Sequence, residues 1–187
     1  MNKSLENLTF ILGGARSGKS SLAEQRAAEY GDSVIYCATA EILDDEMARR
    51  VAIHQSRRPE DWRTVEAPRM AAEKLHTALT ERNADCVLFD CLSVLTSNVL
   101  LSLDENVSES DAFSAFKSRE LDALLRLIEE TPQTHWFLVS NEVGMGVVPA
   151  FKLGRTYRDL LGRVNQAAAA AAGEVIFMIA GIPLKIK

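Results

Sequence analysis

The chain has 187 residues, with 21 Lys and Arg against 26 Asp and Glu for a net charge of −5, 47% hydrophobic residues, 25% charged residues and three cysteines. That length suits one domain, 1–187, with one buried core, and the composition excludes wholesale disorder, a collagen-like repeat and a disulfide scaffold. Net acidity argues against a general binder of nucleic acid, while leaving room for a local basic patch that holds an anion.

Short β-rich runs alternate with longer helical patterns, which predicts an α/β fold with a mostly parallel central sheet flanked by helices. The first strand is expected at 8–12, an apolar run far below the roughly 20 residues of a membrane span, and no export signal precedes it. A helix follows at 20–30, closed by Gly31, then a strand at 33–38 (SVIYCA) and a helix over 44–55 that Asp44 or Asp45 can cap. Residues 62–66 read as a short strand, 70–82 as a helix and 85–91 (DCVLFDC) as a buried strand. Residues 92–103 read as helical, 104–111 as an exposed acidic loop, 113–130 as one helix and 136–140 (WFLVS) as another strand. The last helix, 155–172, ends in six alanines before Gly173, and closing strands are expected at 174–180 and 184–186. Cys37, Cys86 and Cys91 are odd in number, lack C-x-x-C spacing and lie in or beside apolar runs. They read as buried reduced thiols in a cytoplasmic protein.

Gly13-Gly14-Ala15-Arg16-Ser17-Gly18-Lys19-Ser20 fits G-x-x-x-x-G-K-[ST], between an expected strand and an expected helix as that motif requires. Glycines permit a tight loop whose N–H groups face inward, and the helix N-terminus adds a field that favours anions. Lys19 would reach the β- and γ-phosphates of a nucleoside triphosphate, and the Ser20 hydroxyl would ligate Mg²⁺. Asp90, closing an apolar strand, is the candidate second magnesium ligand on a neighbouring strand; a helix N-cap is the competing reading. No N-K-x-D stretch reads guanine, so a small-molecule phosphotransferase fits better than a switch GTPase.

Five arginines (49, 50, 57, 58 and 63) and two acids between 49 and 63 give that stretch a local charge of +3. His54 stands four residues after Arg50, and a neutral imidazole is a competent nucleophile toward phosphorus. The same pattern also fits an exposed, arginine-decorated helix with an incidental histidine, and chemistry alone favours that alternative. His76 reads as a solvated helix residue and His135 as a loop or strand-edge residue. After the fifth strand, Asn141 and Glu142 are candidate site residues, with a helix cap and glycine turn as the equal alternative. The acids of 104–130, eight against three bases, account for the whole net charge and read as a surface segment.

Taken together, GGARSGKS (13–20), ILDDEMARRV (42–51) with His54 beyond it, WRTVE (62–66), NEVGMGVVP (141–149), GRVNQ (162–166) and the closing GIPLKIK resemble one family. This is the bifunctional adenosylcobinamide kinase / adenosylcobinamide-phosphate guanylyltransferase family of cobalamin biosynthesis. The resemblance runs from about Thr9 to Lys187. It implies a P-loop NTPase fold of RecA-like type and two reactions: phosphorylation of the aminopropanol hydroxyl of adenosylcobinamide by ATP or GTP, then transfer of GMP from GTP to that phosphate with release of pyrophosphate. It implies that His54 carries GMP covalently and that nucleotide contacts fall on Gly13 to Ser20, on Ala38, Thr39 and Ala40, on Gln55, Ser56, Arg57 and Arg58, and on Glu66 and Asp90. A corrinoid substrate, GTP, ATP and Mg²⁺ are the implied ligands, and a homo-oligomer, a trimer in at least one relative, the implied assembly. Ser21 departs from the arginine that relatives often carry there, the acid at Asp90 varies between Asp and Glu, and the first seven residues read as an extension. A kinase without nucleotidyl transfer, or a nucleotide-binding regulator, are the alternatives.

Overall fold

The computed structural model describes residues 4–41, 49 and 58–187. The strands are β1 (Leu5–Gly13), β2 (Val34–Ala38), β3 (Arg63–Glu66), β4 (Cys86–Asp90), β5 (His135–Asn141), β6 (Ala172–Ile179) and β7 (Ile182–Lys185). They form one seven-stranded sheet in the order β3-β2-β4-β5-β1-β6-β7, parallel except for the antiparallel β6–β7 pair. The expected α/β class with a mostly parallel, helix-flanked sheet is therefore what the chain adopts. The helices are α1 (Lys19–Tyr30), α2 (Ala71–Glu81), α3 (Leu92–Leu101), α4 (Glu109–Phe116), α5 (Asp122–Glu130) and α6 (Lys152–Ala171). Of the helix expected over 44–55, only residue 49 is described, and it is helical; the rest lies outside the described residues.

Central strands of a parallel sheet are covered on both faces, which explains their nearly unbroken apolar runs. Successive side chains then part into two cores. Leu8, Phe10, Val87, Phe89 and Leu138 join Leu75, Leu95, Phe116, Leu124, Leu160 and Val164 under the helices after α1. Ile11, Tyr36, Leu88, Val139 and Ile176 meet the small Ala23 and Ala27 of α1 on the other face. Alanines there let the α1 backbone approach the sheet closely, so the loop before it is held against the strand ends. None of the described helices is long and apolar enough to cross a membrane.

Four expectations change. The first strand starts at Leu5, not 8, and pairs Leu5 with Ala172, so residues 5–7 belong to the sheet instead of an extension. Asn7 explains the gain: its Nδ2 donates to the carbonyls of Ile128, Thr131 and Thr134. The stretch 113–130 is not one regular helix, because a π-helical turn, Lys117–Leu121, separates α4 from α5, and α4 itself begins inside the expected loop with Ser108 accepting from Asp111 N–H. A π turn re-aims side chains relative to an α-helix. Here Glu120 is only 3% exposed and accepts from the N–H groups of Met70 and Ala71, capping α2 from across the fold. The acidic segment is thus not wholly surface. Finally, Gly173 does not cap the alanine run: α6 passes directly into β6, and a Cβ at Gly173 would stand 2.8 Å from Leu5 O. Lys187 Nζ instead donates to the Ala169 and Ala170 carbonyls, a cation at the negative end of α6.

His135 is the first residue of β5. Its ring stacks on Tyr30 at 4.6 Å, and its Nε2 lies 3.0 Å from Thr9 Oγ1, whose hydroxyl donates to Glu174 Oε2. Burial pushes its pKa down, against a smaller upward pull from Glu174. The unfolded chain therefore binds this proton more readily, and stability is lost as pH falls through the ordinary histidine range. Acidification from about pH 7 to about pH 5.5 is expected to lower the melting temperature of the wild type more than that of His135→Gln. Parallel slopes in thermal denaturation would refute it.

Candidate functional site

The phosphate-loop sequence occupies the turn between β1 and α1, where its motif places it. Gly18 sits at φ 93°, in the left-handed region that a side chain resists, and serves as N-cap of α1. Arg16 also has positive φ, at 58°. The loop closes through Ser17 N–H to Gly14 O, and α1 starts with Leu22 N–H to Gly18 O. The first N–H groups of α1 consequently point out of the helix toward the loop, as at any helix N-terminus. Ser17 Oγ is buried and finds no hydrogen-bond partner among the described residues. A polyphosphate in the loop would offer the acceptors that this hydroxyl and those N–H groups lack.

Lys19 is 9% exposed, and its Nζ donates to Gly14 O at 3.1 Å, so the ammonium already lies over its own loop. Burial pulls its pKa below the usual lysine value, and Cys91 and Asp90 offset part of that pull. Lys19 and Asp90 thus share one electrostatic environment although they stand 71 positions apart in sequence. Sheet register explains the meeting. Glu66, Ala38, Asp90, Val139 and Ile11 align across β3, β2, β4, β5 and β1, with Gly13 two residues further along β1. All the candidate residues on strands therefore end at one edge of the sheet, the carboxyl edge where open α/β sheets hold ligands.

Asp90 is not on the strand next to the loop strand, because β5 lies between β4 and β1. Nor does it cap a helix: Cys91 occupies the N-cap of α3. Its Oδ2 instead accepts from the Tyr36 hydroxyl at 2.8 Å. The Arg58 guanidinium stacks on that same Tyr36 ring, 3.3 Å from its centroid, with its Nε buried and without a hydrogen-bond partner among the described residues. Burial first, and Asp90 second, push the Tyr36 pKa far up, so the phenol stays protonated and donates. No motif in the sequence points to Tyr36. The signal was a lone phenol inside the apolar run SVIYCA, since a buried Tyr hydroxyl needs a partner.

The remaining candidates divide. Thr39 is fully buried, donating to Cys91 O and accepting from Cys91 N–H, so its hydroxyl ties the end of β2 to the end of β4. Asn98 Nδ2 holds the Thr39 and Pro68 carbonyls from α3. Ala38 and Ala40 flank Thr39 at the sheet edge, half-buried. Glu66 ends β3 with its side chain exposed, and its carbonyl accepts from Lys74 Nζ. Gly14, Ala15 and Arg16 lie at the open side of the loop, and Ser20 is half-buried in the first turn of α1. Arg58 is brought toward Asp90 through Tyr36. His54, Gln55, Ser56 and Arg57 lie outside the described residues.

Asn141 pairs with Gly13 in the sheet, and its carbonyl accepts from Asn165 Nδ2 while Asn165 Oδ1 accepts from Ser140. Glu142 N–H donates to Gly13 O, and its carboxylate accepts from Gly144 N–H, so both belong to the turn that leaves β5 beside the phosphate loop. All three cysteines are free and buried; burial pushes the Cys86 thiol up to about 12 and the Cys91 thiol up to about 11.

Among known proteins, residues 9–186 match the family described as cobinamide kinase / cobinamide phosphate guanyltransferase. The bifunctional adenosylcobalamin biosynthesis protein CobU of Escherichia coli (strain K12) is 42% identical over 186 residues, covering 96% of this chain and 99% of that protein. The protein of the same name from Salmonella typhimurium is 43% identical over 188 residues, covering 96% and 99%. The bifunctional adenosylcobalamin biosynthesis protein CobP of Pseudomonas aeruginosa is 44% identical over 177 residues, covering 95% of each.

Proposed function

Because this chain belongs to the cobinamide kinase / cobinamide phosphate guanyltransferase family, we propose that it performs both reactions of that name, on the adenosylated corrinoid. The observation that carries this reading is the full-length match to bifunctional relatives together with a buried Lys19 folded over an intact phosphate loop.

In the kinase step, the corrinoid hydroxyl oxygen attacks the γ-phosphorus of ATP or GTP, the bond to the β-phosphate oxygen breaks, and the nucleoside diphosphate leaves. The loop N–H groups and Lys19 hold the phosphates and neutralise the charge that builds on the leaving oxygen. In the second step, His54 attacks the α-phosphorus of GTP and pyrophosphate departs. A phosphate oxygen of the substrate then displaces the imidazole, giving adenosylcobinamide-GDP. A nitrogen nucleophile suits this relay because the phosphoramidate bond stays reactive. Gln55, Ser56, Arg57, Arg58, Glu66 and the strand end at Ala38, Thr39 and Ala40 would line the nucleotide in this reading.

Mg²⁺ fits the residues present. The Ser20 hydroxyl and the Asp90 carboxylate are hard oxygen donors, and few protein ligands suffice when phosphates and water supply the rest. When bound, the ion would neutralise phosphate charge. Tyr36 holds one Asp90 oxygen in place, so Tyr36→Phe is expected to raise, severalfold, the Mg²⁺ concentration needed for half-maximal GTP binding, at a stability cost of about 1 kcal/mol. A fluorescence titration of GTP binding against Mg²⁺ reads this, and an unchanged midpoint would count against the role.

The decisive experiment supplies adenosylcobinamide, GTP and Mg²⁺ to the purified chain and follows products by mass spectrometry. Adenosylcobinamide phosphate should appear first and its GDP adduct second. Phosphate transfer alone would leave the narrower kinase, and neither product would refute the function. A homo-oligomeric assembly and a cytoplasmic location belong to the same proposal; buried, protonated thiols support the second, and sedimentation velocity tests the first.

A further inference from the structure

One sequence motif is left over by the reactions above: the loop after β5. Residues 143–151 form an ordered turn. Arg155 Nη1 donates to the Pro149 and Ala150 carbonyls at 3.0 and 2.7 Å, and the Glu142 carboxylate ties Gly144. Yet this fastened loop turns its apolar side chains outward: Val147 is 95% exposed, Phe151 82% and Met145 81%. A second apolar feature is the β6–β7 hairpin, whose paired Ile179 and Ile182 are also exposed.

Both features are bonded to the phosphate loop. Glu142 N–H donates to Gly13 O at 2.9 Å, and Gly181 N–H of the hairpin turn donates to Ser17 O at 2.9 Å. Because β1 runs between β5 and β6, the phosphate loop emerges with the apolar loop on one side and the apolar hairpin on the other. Clustered exposed apolar groups mark a binding surface, and polar side chains would serve solvent-facing turns better.

We infer that residues 143–151 and the tip of the β6–β7 hairpin seat the corrin macrocycle of the acceptor. This rests on the function proposed above. A kinase acceptor must bring its hydroxyl to the γ-phosphate over Lys19, so the bulk of the acceptor lies within one side-arm of the phosphate loop. A corrin is a broad ring with extensive hydrocarbon surface around its axial ligands and amide side-arms, which suits two apolar walls flanking that loop, and a nucleotide alone has no use for them. Continuity with the phosphate loop favours the substrate over a second copy of the chain as the occupant.

The test uses Val147→Ser, Phe151→Ser and Ile182→Ser, all at exposed positions where folding tolerates a polar side chain. Kinase initial rates are measured with adenosylcobinamide and GTP varied separately, corrinoid binding by calorimetry without nucleotide, and assembly by sedimentation. Each variant should raise the KM and the Kd for the corrinoid about tenfold, as loss of one buried apolar contact implies, while the KM for GTP stays within about twofold. Unchanged corrinoid constants overturn the inference, as does an equal rise for both substrates. A smaller assembly with an unchanged corrinoid KM assigns the walls to a contact between copies and overturns it too. No turnover by the unaltered chain removes the proposed function and this inference together. Normal turnover by unaltered chain and variants alike removes only the inference.

Discussion

Replacing Lys19 with alanine is expected to lower kcat/KM roughly 10²–10³-fold in both reactions, the usual loss when one preorganised charge donor to a transition state is removed. In the function proposed above, both reactions place negative charge on a phosphate oxygen leaving from a nucleoside triphosphate. The Lys19 ammonium is buried and already bonded to Gly14 O, so it needs little rearrangement to meet that charge. Burial weakens its hold on the proton, and a polyphosphate would restore it. Arginine should not rescue the activity, since a compact ammonium fits a tight loop that a planar guanidinium does not. The fold should survive, because alanine removes a buried charge without orphaning a buried donor. Steady-state kinetics of each step, alongside thermal denaturation, check this. A kinase step that retains wild-type kcat/KM in Lys19→Ala would contradict the role.

His54→Ala is expected to separate the two reactions. GTP labelled at the α-phosphate should give an acid-labile, alkali-stable protein adduct with the wild type and none with the variant. Guanylyl transfer should fall by roughly 10³-fold or more, the scale of losing a nucleophile outright, while the kinase step stays within about threefold. The separation follows from the proposed scheme: the kinase step forms its bond at the γ-phosphorus with the acceptor hydroxyl as nucleophile, whereas the transfer step needs a nucleophile of the chain at the α-phosphorus. An adduct that persists in the variant, or equal loss of kinase turnover in a folded protein, would defeat the assignment.

Much of the fold was legible because it is written in local patterns. The strand at Cys86–Asp90, the helix before it and the phosphate loop between β1 and α1 all follow from neighbouring residues. Misreadings fell where a residue's partner is distant in sequence. Glu120 looked like surface acid until a π turn aimed it at Met70 and Ala71, 50 and 49 residues away. Residues 5–7 looked like an extension because no local periodicity reveals the pairing of Leu5 with Ala172. Gly173 looked like a helix cap because helix-then-glycine is the common ending, yet the chain needed a glycine for close passage past Leu5 and Glu6.

The candidate site divides in the same way. By itself the sequence determined the phosphate loop, since Gly13 to Ser20 are contiguous and both their backbone donors and Lys19 act within one turn. It also determined the family, because six separate motifs keep their order along the chain. Only the tertiary structure decided that Asp90 lies one strand beyond β5, that Tyr36 holds Asp90 and carries Arg58, and that two apolar features flank the phosphate loop. Each of these depends on strand order and register, which bring together residues tens of positions apart. Strand order is settled by how the whole set of apolar faces is buried, a global balance that no local run of residues records.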